Sequence, residues 1–445
     1  MADPTTCPPL APSSIAAAHA KIRPYIHRTP VMTSRSLDII ASSRDPRVFL
    51  SENPPPTLDV EEEEEEEEEE GDANAERRSR IHTPTPTPRF RLFFKCENFQ
   101  KIGAFKARGA FHAIARLVEE MGIEEVRRRG VVTHSSGNHA QALALAASTF
   151  QIPSYIVMPS ISTPSKIAGT RLYTSNVIFS GSTSQEREAV VNEVIADKGA
   201  ILVPPYDHPD IILGQGTVGL ELEEQVDEIQ QQQQGKNASS GAALDAVIAP
   251  LGGGGLLSGV ATWFSDKAGT LVFGAEPSYQ GGDDGRRGLA QGKRIEHVKT
   301  LTIADGLRTP VGVTNWDVLC DKHQLEGVYA VSEEEIKMAM RLVFERLKVV
   351  VEPSGCVGLA VVLFNREFRA LCASRQQMGM REKEEERWNV GIVFSGGNTT
   401  MKAIAKLFAE VDGDADAGDE GSANAERQTG KIGMDGERRV EDVAG

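Results

Sequence analysis

The sequence predicts an α/β fold with parallel sheets covered on both faces. Short apolar runs rich in β-branched residues recur along the 445-residue chain, bounded by turn-forming residues as buried strands are. Each run is followed by a turn and often by a stretch with helical patterning. Alternating β and α units place helices over both faces of a parallel sheet and put the chemistry at the carboxyl ends of its strands. A four-glycine run, Gly252 to Gly255, stands at one such end.

Taken in order, the elements are these. Phe111, Ile114, Leu117 and Val118 fall on one helical face, so Lys106 stands at the start of a helix. Gly130-Val-Val-Thr133 and Tyr155-Ile-Val-Met158 read as buried strands, with a helix over Ala140 to Thr149 between them. Ala246-Val-Ile-Ala249 is a third strand, and the glycine run leads from it into a helix over Leu256 to Asp266. Gly391-Ile-Val-Phe394 is a fourth, followed by a helix over Thr400 to Phe408. No internal repeat is visible.

A chain of this length predicts two or three domains. The formal net charge of −16 is local: Glu61 to Glu70 account for much of it, residues 411–445 carry ten acidic and four basic side chains, and the rest is balanced. That excludes a nucleic-acid or anionic-membrane surface as the expected partner. Cys7, Cys96, Cys320, Cys356 and Cys372 are scattered without a CxxC pair, as reduced thiols are. No secretory signal is evident, and no stretch approaches the roughly eighteen apolar residues of a membrane span. A cytoplasmic location is expected. Residues 44–88 (a proline cluster, the Glu run and a Thr-Pro repeat), Gln230 to Gln234, and the chain after about 410 are too polar to order and are expected to project from the folded body.

Lys106, in Gly-Ala-Phe-Lys-Ala-Arg-Gly (103–109), and the glycine run together describe a cofactor site. A buried lysine amine forms a Schiff base with the aldehyde of pyridoxal phosphate, and backbone N–H groups at a helix start hold its phosphate. Burial beside Phe105 would lower the amine pKa and make it a nucleophile and base, whereas on the surface Lys106 would be an ordinary helix-start residue. The glycine run does not fit a dinucleotide loop, since position 257 is Leu and no acidic ribose ligand follows about twenty residues on.

With Ser-Ser-Gly-Asn-His (135–139), Ala-Asp-Gly (304–306), Glu-Pro-Ser-Gly (352–355) and Ser-Gly-Gly-Asn (395–398) read alongside, the chain resembles fold-type II pyridoxal phosphate enzymes. The likeness is to the serine racemase and serine/threonine dehydratase group, and covers roughly residues 14–43 and 89–408. It implies a tryptophan synthase beta-like fold with two parallel-sheet domains. The large domain would comprise 1–127 and 208–410, the small one 128–207, and 411–445 would be a tail.

The resemblance also implies roles. Lys106 carries the cofactor, Asn138 bonds its phenolic oxygen, Gly252, Gly253, Gly254, Gly255 and Leu256 hold the phosphate, and Ser395 faces the ring nitrogen. A serine there leaves that nitrogen largely unprotonated, which suits proton transfer and β-elimination better than transamination. Glu352 lies near the ring in relatives. Ser136 opposes the lysine across the substrate Cα, although a serine at that place could also be a helix cap. Ser135, His139 and Arg187 complete the substrate side, with His139 also read as a packed helix-start residue and Arg187 as a surface one. Tyr206-Asp-His-Pro209 would form a wall or hinge. Glu276, the Gly282 carbonyl and Asp284 resemble a site for Mg²⁺, Ca²⁺ or Mn²⁺, with Asp283 an alternative to Asp284. One departure is Ala104, where many members carry Ser.

The expected activity is interconversion of L- and D-serine with dehydration to pyruvate and ammonia. L-Threonine or threo-3-hydroxyaspartate dehydration is the alternative, and a silent cofactor-binding or scaffold protein the second. A hydroxy amino acid is the expected small-molecule partner and a homodimer the expected assembly; activation by ATP is left open.

Overall fold

Six strands of the computed structural model form one sheet and four form another. The structure describes residues 3–51, 87–135, 137–234, 242–379 and 387–412. Among them are β1 (Val31–Met32), β2 (Phe90–Cys96), β3 (Val131–His134), β4 (Ser154–Pro159), β5 (Val177–Ser180), β6 (Ile201–Leu202), β7 (Ala246–Pro250), β8 (Leu271–Pro277), β9 (Gly327–Val331) and β10 (Trp388–Phe394). The larger sheet has the order β1-β2-β10-β7-β8-β9 and the smaller β5-β4-β3-β6. Every pairing is parallel except the short β1–β2 edge.

Parallel strands buried on both faces read as continuous apolar runs, and here they are. All five residues of β7 are buried, as are the last five of β10. Phe93, Val247 and Val393 pack on one side of the larger sheet against Leu257 and Val260 of the helix Gly255–Phe264. The helix Pro353–Phe364 packs against β7, β8, β9 and β10 and is buried at every residue. Its sequence is apolar all round, as a helix enclosed on every side requires. Ile156 and Met158 of β4 share a core with Phe111 and Leu143 of the helices Lys106–Met121 and Asn138–Thr149. Residues 401–412 form a helix in a unit of their own.

Two expectations about polar segments need correction. Pro46–Leu50 is an ordered 3₁₀ turn: the Asp45 side chain caps it, Phe49 is buried, and Arg47 pairs with Glu335. A single large apolar side chain anchors a stretch whose composition is otherwise loop-like. Gln230–Gln234 likewise continues the helix that starts at Pro209, with Gln230 Nε2 donating to the Ala243 carbonyl at 2.7 Å. Glutamine is a good helix former once a helix is running. The Glu run, the Thr-Pro repeat and the chain after 412 lie outside the described residues.

The helix Pro209–Gln234 crosses the helices Lys106–Met121 and Gly255–Phe264 at glycines. A Cβ on Gly214 would lie 2.7 Å from Gly109 Cα and 2.8 Å from the Arg108 carbonyl oxygen. Both are backbone atoms that cannot rotate away. Gly214→Ala is therefore expected to cost about 1–3 kcal/mol or more, read as a lowered urea midpoint; an unchanged midpoint would mean that the two helices can separate without loss.

Candidate active site

Between β2 and the lysine the chain makes two 3₁₀ turns, Glu97–Phe99 and Lys101–Gly103, the second carrying Ile102 at φ 59° and Gly103 at φ +70°. It then runs extended through Ala104, which pairs antiparallel with Gly396. Phe105 N–H donates to the Ser395 carbonyl at 3.0 Å, and Gly397 N–H donates to the Gly103 carbonyl at 2.9 Å. This short ladder ties the start of the helix Lys106–Met121 to the carboxyl end of β10. Ala104 is wholly buried within it.

The Lys106 amine donates to the Pro205 carbonyl at 2.7 Å and lies 5.1 Å above the centre of the Phe105 ring. Burial lowers its pKa from 10.5 to about 8. Two residues on, the Arg108 guanidinium is completely buried. It donates to both oxygens of Glu97 at 2.8 Å, and to both oxygens of Glu221 at 3.0 and 2.7 Å. Lys95 Nζ joins at 2.7 Å from Glu221 Oε2 and also donates to Gln225 and to the Thr29 carbonyl. Burial alone would lower the Arg108 pKa, but the carboxylates of Glu97 and Glu221 outweigh it and hold the charge in place. Burial pulls the Lys95 amine down, assisted by the neighbouring Arg108.

The glycine run follows β7 and enters the helix Gly255–Phe264 through Gly254 at φ +100°. A Cβ on Gly253 would lie 2.4 Å from the Tyr206 ring, and one on Gly254 would lie 2.7 Å from Asn315 Cβ. Only glycines let the backbone curl this tightly between those side chains. Asn315 Nδ2 donates to the Gly253 carbonyl at 2.8 Å, and Gly312 N–H donates to the same oxygen at 3.0 Å. Those two contacts turn the carbonyl away from the helix start, leaving N–H groups as its polar face. Tyr206 follows Pro205 in the chain, so one short segment touches both the lysine amine and the glycine turn. Asp207 caps the helix Val313–Leu319 by accepting from Val313 and Thr314 N–H at 2.8 and 2.9 Å. Leu256 is buried behind the turn.

Asn138 opens the helix that follows β3. Its Nδ2 donates to Glu352 Oε1 at 2.8 Å, and its Oδ1 accepts from Asn398 Nδ2 at 2.8 Å. Asn398 also donates to the Ile102 carbonyl at 2.7 Å. Glu352 is buried before the helix Pro353–Phe364, its N–H on the Gly396 carbonyl at 3.0 Å. Burial and then the nearby Asp305 push its carboxyl up to about 7. Ser395 is buried directly after β10. Asn138, Glu352, Ser395 and Lys106 thus converge on one place, although they come from four separate segments.

The remaining predicted residues divide. Ser135 stands after β3, its Oγ accepting from Gly137 N–H at 3.3 Å; Ser136 lies outside the described residues, and Gly137 occupies the cap position. His139 is buried in the first turn of the helix that Asn138 opens. It is 2% exposed, its Nε2 lies 3.3 Å from the Val203 carbonyl, and burial holds the imidazole down to about 3. The charge of Lys106 also lowers it, so the ring lies within reach of the lysine amine. Arg187 lies on the helix Ser184–Lys198 with Nη1 on the Ser182 carbonyl at 3.3 Å, and its charge reaches His134 at the end of β3.

Glu276, in β8, and Asp284 are both buried. Glu276 accepts from Gly285 and Arg286 N–H at 2.9 Å each, and Asp284 Oδ2 accepts from Val311 N–H at 3.1 Å. Burial and then Asp284 push the Glu276 carboxyl well above the usual range, and burial pushes Asp284 up to about 6. Asp283 turns instead to Arg286 and Arg287. Gly282, in the intervening loop, is buried.

Residues to which the sequence assigned no role also shape the site. Pro205, Asn315 and Asn398 act through backbone or amide groups. Lys166 forms an ion pair with Asp305, joining the helix Pro164–Arg171 to the Ala-Asp-Gly segment. Arg108, Asp305 and Asn398 lie within contiguous motifs of the sequence, whereas Pro205, Asn315 and Lys166 have none to mark them.

A lysine at a helix start, a glycine turn and a serine beyond a neighbouring strand define a cofactor-dependent enzyme site. The family model described as pyridoxal-phosphate dependent enzyme matches residues 78–373, and the chain belongs to that family. It is 38% identical over 396 residues to a serine racemase of Arabidopsis thaliana, covering 89% of this chain and 95% of that one. It is also 38% identical over 322 residues to an L-threo-3-hydroxyaspartate ammonia-lyase of Saccharomyces cerevisiae, covering 72% and 86%. The structure of maize serine racemase superposes with a TM-score of 0.68 at 34% identity, covering 91% of this chain and 99% of that chain.

The residues present fit pyridoxal phosphate. An enclosed amine of lowered pKa meets the aldehyde's need for a nucleophile, and the glycine turn at a helix start meets the phosphate's need for N–H donors. Borohydride reduction of the loaded enzyme followed by peptide mapping is expected to place the label on Lys106; a label on Lys166 or any other lysine would overturn the assignment. A second expectation concerns pH. The Glu352 carboxyl, raised from 4.5 to about 7, contributes stability below pH 4.5 that is lost as pH rises through 7. Glu352→Gln is therefore expected to match the wild type near pH 4.5 and exceed it by ~1–3 kcal/mol above pH 8, as thermal melts across that range would show.

Proposed function

We propose that the protein is a serine racemase that also dehydrates serine. The observation that carries this is the convergence of the lysine amine, Asn138, Glu352 and Ser395 at the ends of β2, β3 and β10, in a chain similar to serine racemases over most of its length. When bound, pyridoxal phosphate supplies the electron sink that acidifies the substrate Cα proton. Lys106, with an amine pKa lowered to about 8, takes that proton on one face. Ser136, on the sequence evidence, delivers a proton to the other face. Asn138, held between Glu352 and Asn398, orients the cofactor ring, and Ser395 meets its nitrogen without charging it. Ser135 and Arg187 receive the substrate from the side of the smaller sheet. Departure of the β-hydroxyl in place of reprotonation gives pyruvate and ammonia. Closure of the smaller domain, 128–207, over the larger excludes water from this exchange.

Glu276 and Asp284 hold a divalent cation in the same reading, with Gly282 offering a carbonyl. Two adjacent buried carboxylates, each with its proton affinity raised by burial, are relieved by a hard cation such as Mg²⁺. A homodimer in the cytoplasm, with ATP as an effector, belongs to this reading on the family resemblance alone. Among the described residues no helix is long and apolar enough to cross a membrane. A second reading, dehydration of threo-3-hydroxyaspartate, is favoured by the likeness to the yeast ammonia-lyase. Chiral product analysis with L-serine, L-threonine and threo-3-hydroxyaspartate separates the two.

Ser136→Ala is the sharpest test of the two-face arrangement. L-Serine dehydration should survive substantially, because Lys106 and the leaving group are untouched. D-Serine formation should fall by about two orders of magnitude or more, the scale of a missing acid–base group. Racemisation at the wild-type rate would assign that face to another residue. For the cation, Mg²⁺ should raise the melting midpoint of EDTA-treated protein and fail to do so in Glu276→Gln; equal midpoints with and without Mg²⁺ in the wild type would remove the site.

A further inference from the structure

The first residues of the chain are strapped across two helices. Asp3 caps the 3₁₀ turn Pro4–Thr6, its Oδ1 accepting from Thr5 N–H at 2.9 Å. The Thr6 carbonyl accepts from Arg116 at 3.3 Å, and the Thr6 hydroxyl donates to Glu120, both on the lysine helix. This places Cys7 against the start of the helix Pro209–Gln234. There Cys7, His208 and Asp210 each present one ligand atom, and the three atoms lie within 4.8 Å of one another. His208 and Asp210 are 4% and 1% exposed, while Cys7 is partly exposed.

Asp210 carries the argument. Its backbone carbonyl is 2.6 Å from His112 Nδ1 and its Oδ1 accepts from Arg116 Nε at 3.3 Å. Its Oδ2 is buried and meets no N–H or O–H donor; the nearest donor is the weak Cys7 thiol, which burial and then the Asp210 carboxylate raise to about 12. That oxygen lies 3.9 Å from His208 Nδ1, and the Cys7 thiol contacts the Asp3 carbonyl at 3.7 Å. A thiol is a weak donor, and a buried carboxylate oxygen left so poorly satisfied costs on the order of 1–3 kcal/mol unless an ion or water completes the site. His208 Nδ1 accepts the Asp210 N–H at 3.2 Å, so its lone pair is on this nitrogen and its proton on the other. That is the tautomer a metal bound at Nδ1 requires.

We propose that Cys7, His208 and Asp210 form a zinc-type divalent cation site that fastens the amino-terminal strap to the helices beneath it. Thiolate, imidazole and carboxylate together select zinc over magnesium or calcium. A tetrahedral shell with bonds of about 2.0–2.3 Å puts ligand atoms about 3.5 Å apart, so the triangle must contract by about 1 Å. The strap carrying Cys7 can make that adjustment. Water reaches the partly exposed Cys7 side and supplies the fourth ligand. On binding, the thiol proton leaves to solvent, and the ion replaces the 3.2 Å contact on His208. The site is separate from Glu276 and Asp284 and uses none of the residues assigned to catalysis.

The test uses full-length, cofactor-loaded protein stripped with EDTA and held in saturating Mg²⁺ to fill any carboxylate site. Zinc is added, unbound metal is removed by desalting, and retained zinc is measured by mass spectrometry. Wild type is expected to retain a single zinc per chain and to melt higher for it. Cys7→Ser should lose zinc affinity by ~10-fold or more with activity unchanged. Cobalt in place of zinc should give a thiolate charge-transfer band in the wild-type minus Cys7→Ser difference spectrum. Asp210→Asn should lose zinc as well; should it fail to fold, the Cys7 variant, on an exposed strap, still decides. Failure of the wild type to retain zinc, or equal retention and equal cobalt spectra in Cys7→Ser, would overturn the proposal.

Discussion

The buried guanidinium of Arg108 is the fixed point around which the site is arranged. It sits in the first turn of the lysine helix and is gripped from both sides, by Glu97 after β2 and by Glu221 in the helix Pro209–Gln234. Lys95 completes a cluster of two cations and two carboxylates with side chains almost wholly excluded from solvent. Such a cluster adds little stability over an apolar replacement, but loss of one partner leaves an uncompensated buried charge costing about 3–5 kcal/mol. Its consequence is positional. The helix start cannot slide or rotate without breaking bidentate contacts, so the amine two residues earlier is held against the Pro205 carbonyl.

Glycine provides the second constraint, by permitting approach. The helix Pro209–Gln234 can come close enough to place Glu221 beside Arg108 because Gly109 and Gly214 meet backbone to backbone. The four-glycine turn works by the same physics on a smaller scale, folding between Tyr206 and Asn315 where side chains would collide. The ladder between Gly103–Phe105 and Ser395–Gly397 then joins two segments nearly three hundred residues apart. Three modest devices (an ion cluster, close glycine crossings and a short ladder) give the site its rigidity.

The electrostatics follow from enclosure. Lys106 moves down, and Glu352, Glu276 and Asp284 move up, because each would be charged in a poorly solvated place. For the lysine this makes a usable base near neutral pH. For Glu352 it makes a carboxyl balanced between its two states, in contact with the Asn138 amide. Among the described residues Ile102, Gln151, Gln280 and Lys348 take a positive φ, and Ile102 does so where the chain turns into the lysine segment.

Much of this was legible in the sequence, and the reason is local. Strand runs, the lysine helix and the glycine turn depend on hydrophobic period and backbone freedom, which a short window of residues determines by itself. The motifs carrying Lys106, Asn138 and Ser395 are likewise contiguous words in the chain. Tertiary structure decided what depends on partners far away in sequence. The Pro46–Leu50 turn is ordered because Phe49 finds a core, and Gln230–Gln234 is helical because a long helix already precedes it. His139 is buried against the Val203 carbonyl, and Asp283 is drawn to Arg286 and Arg287 while Asp284 meets Val311, through neighbours that no local pattern reveals. The cluster around Arg108 and the triangle of Cys7, His208 and Asp210 share that origin: burial and pairing are properties of the assembled fold, and a side chain's charge or ligand capacity acquires its meaning only once both are set.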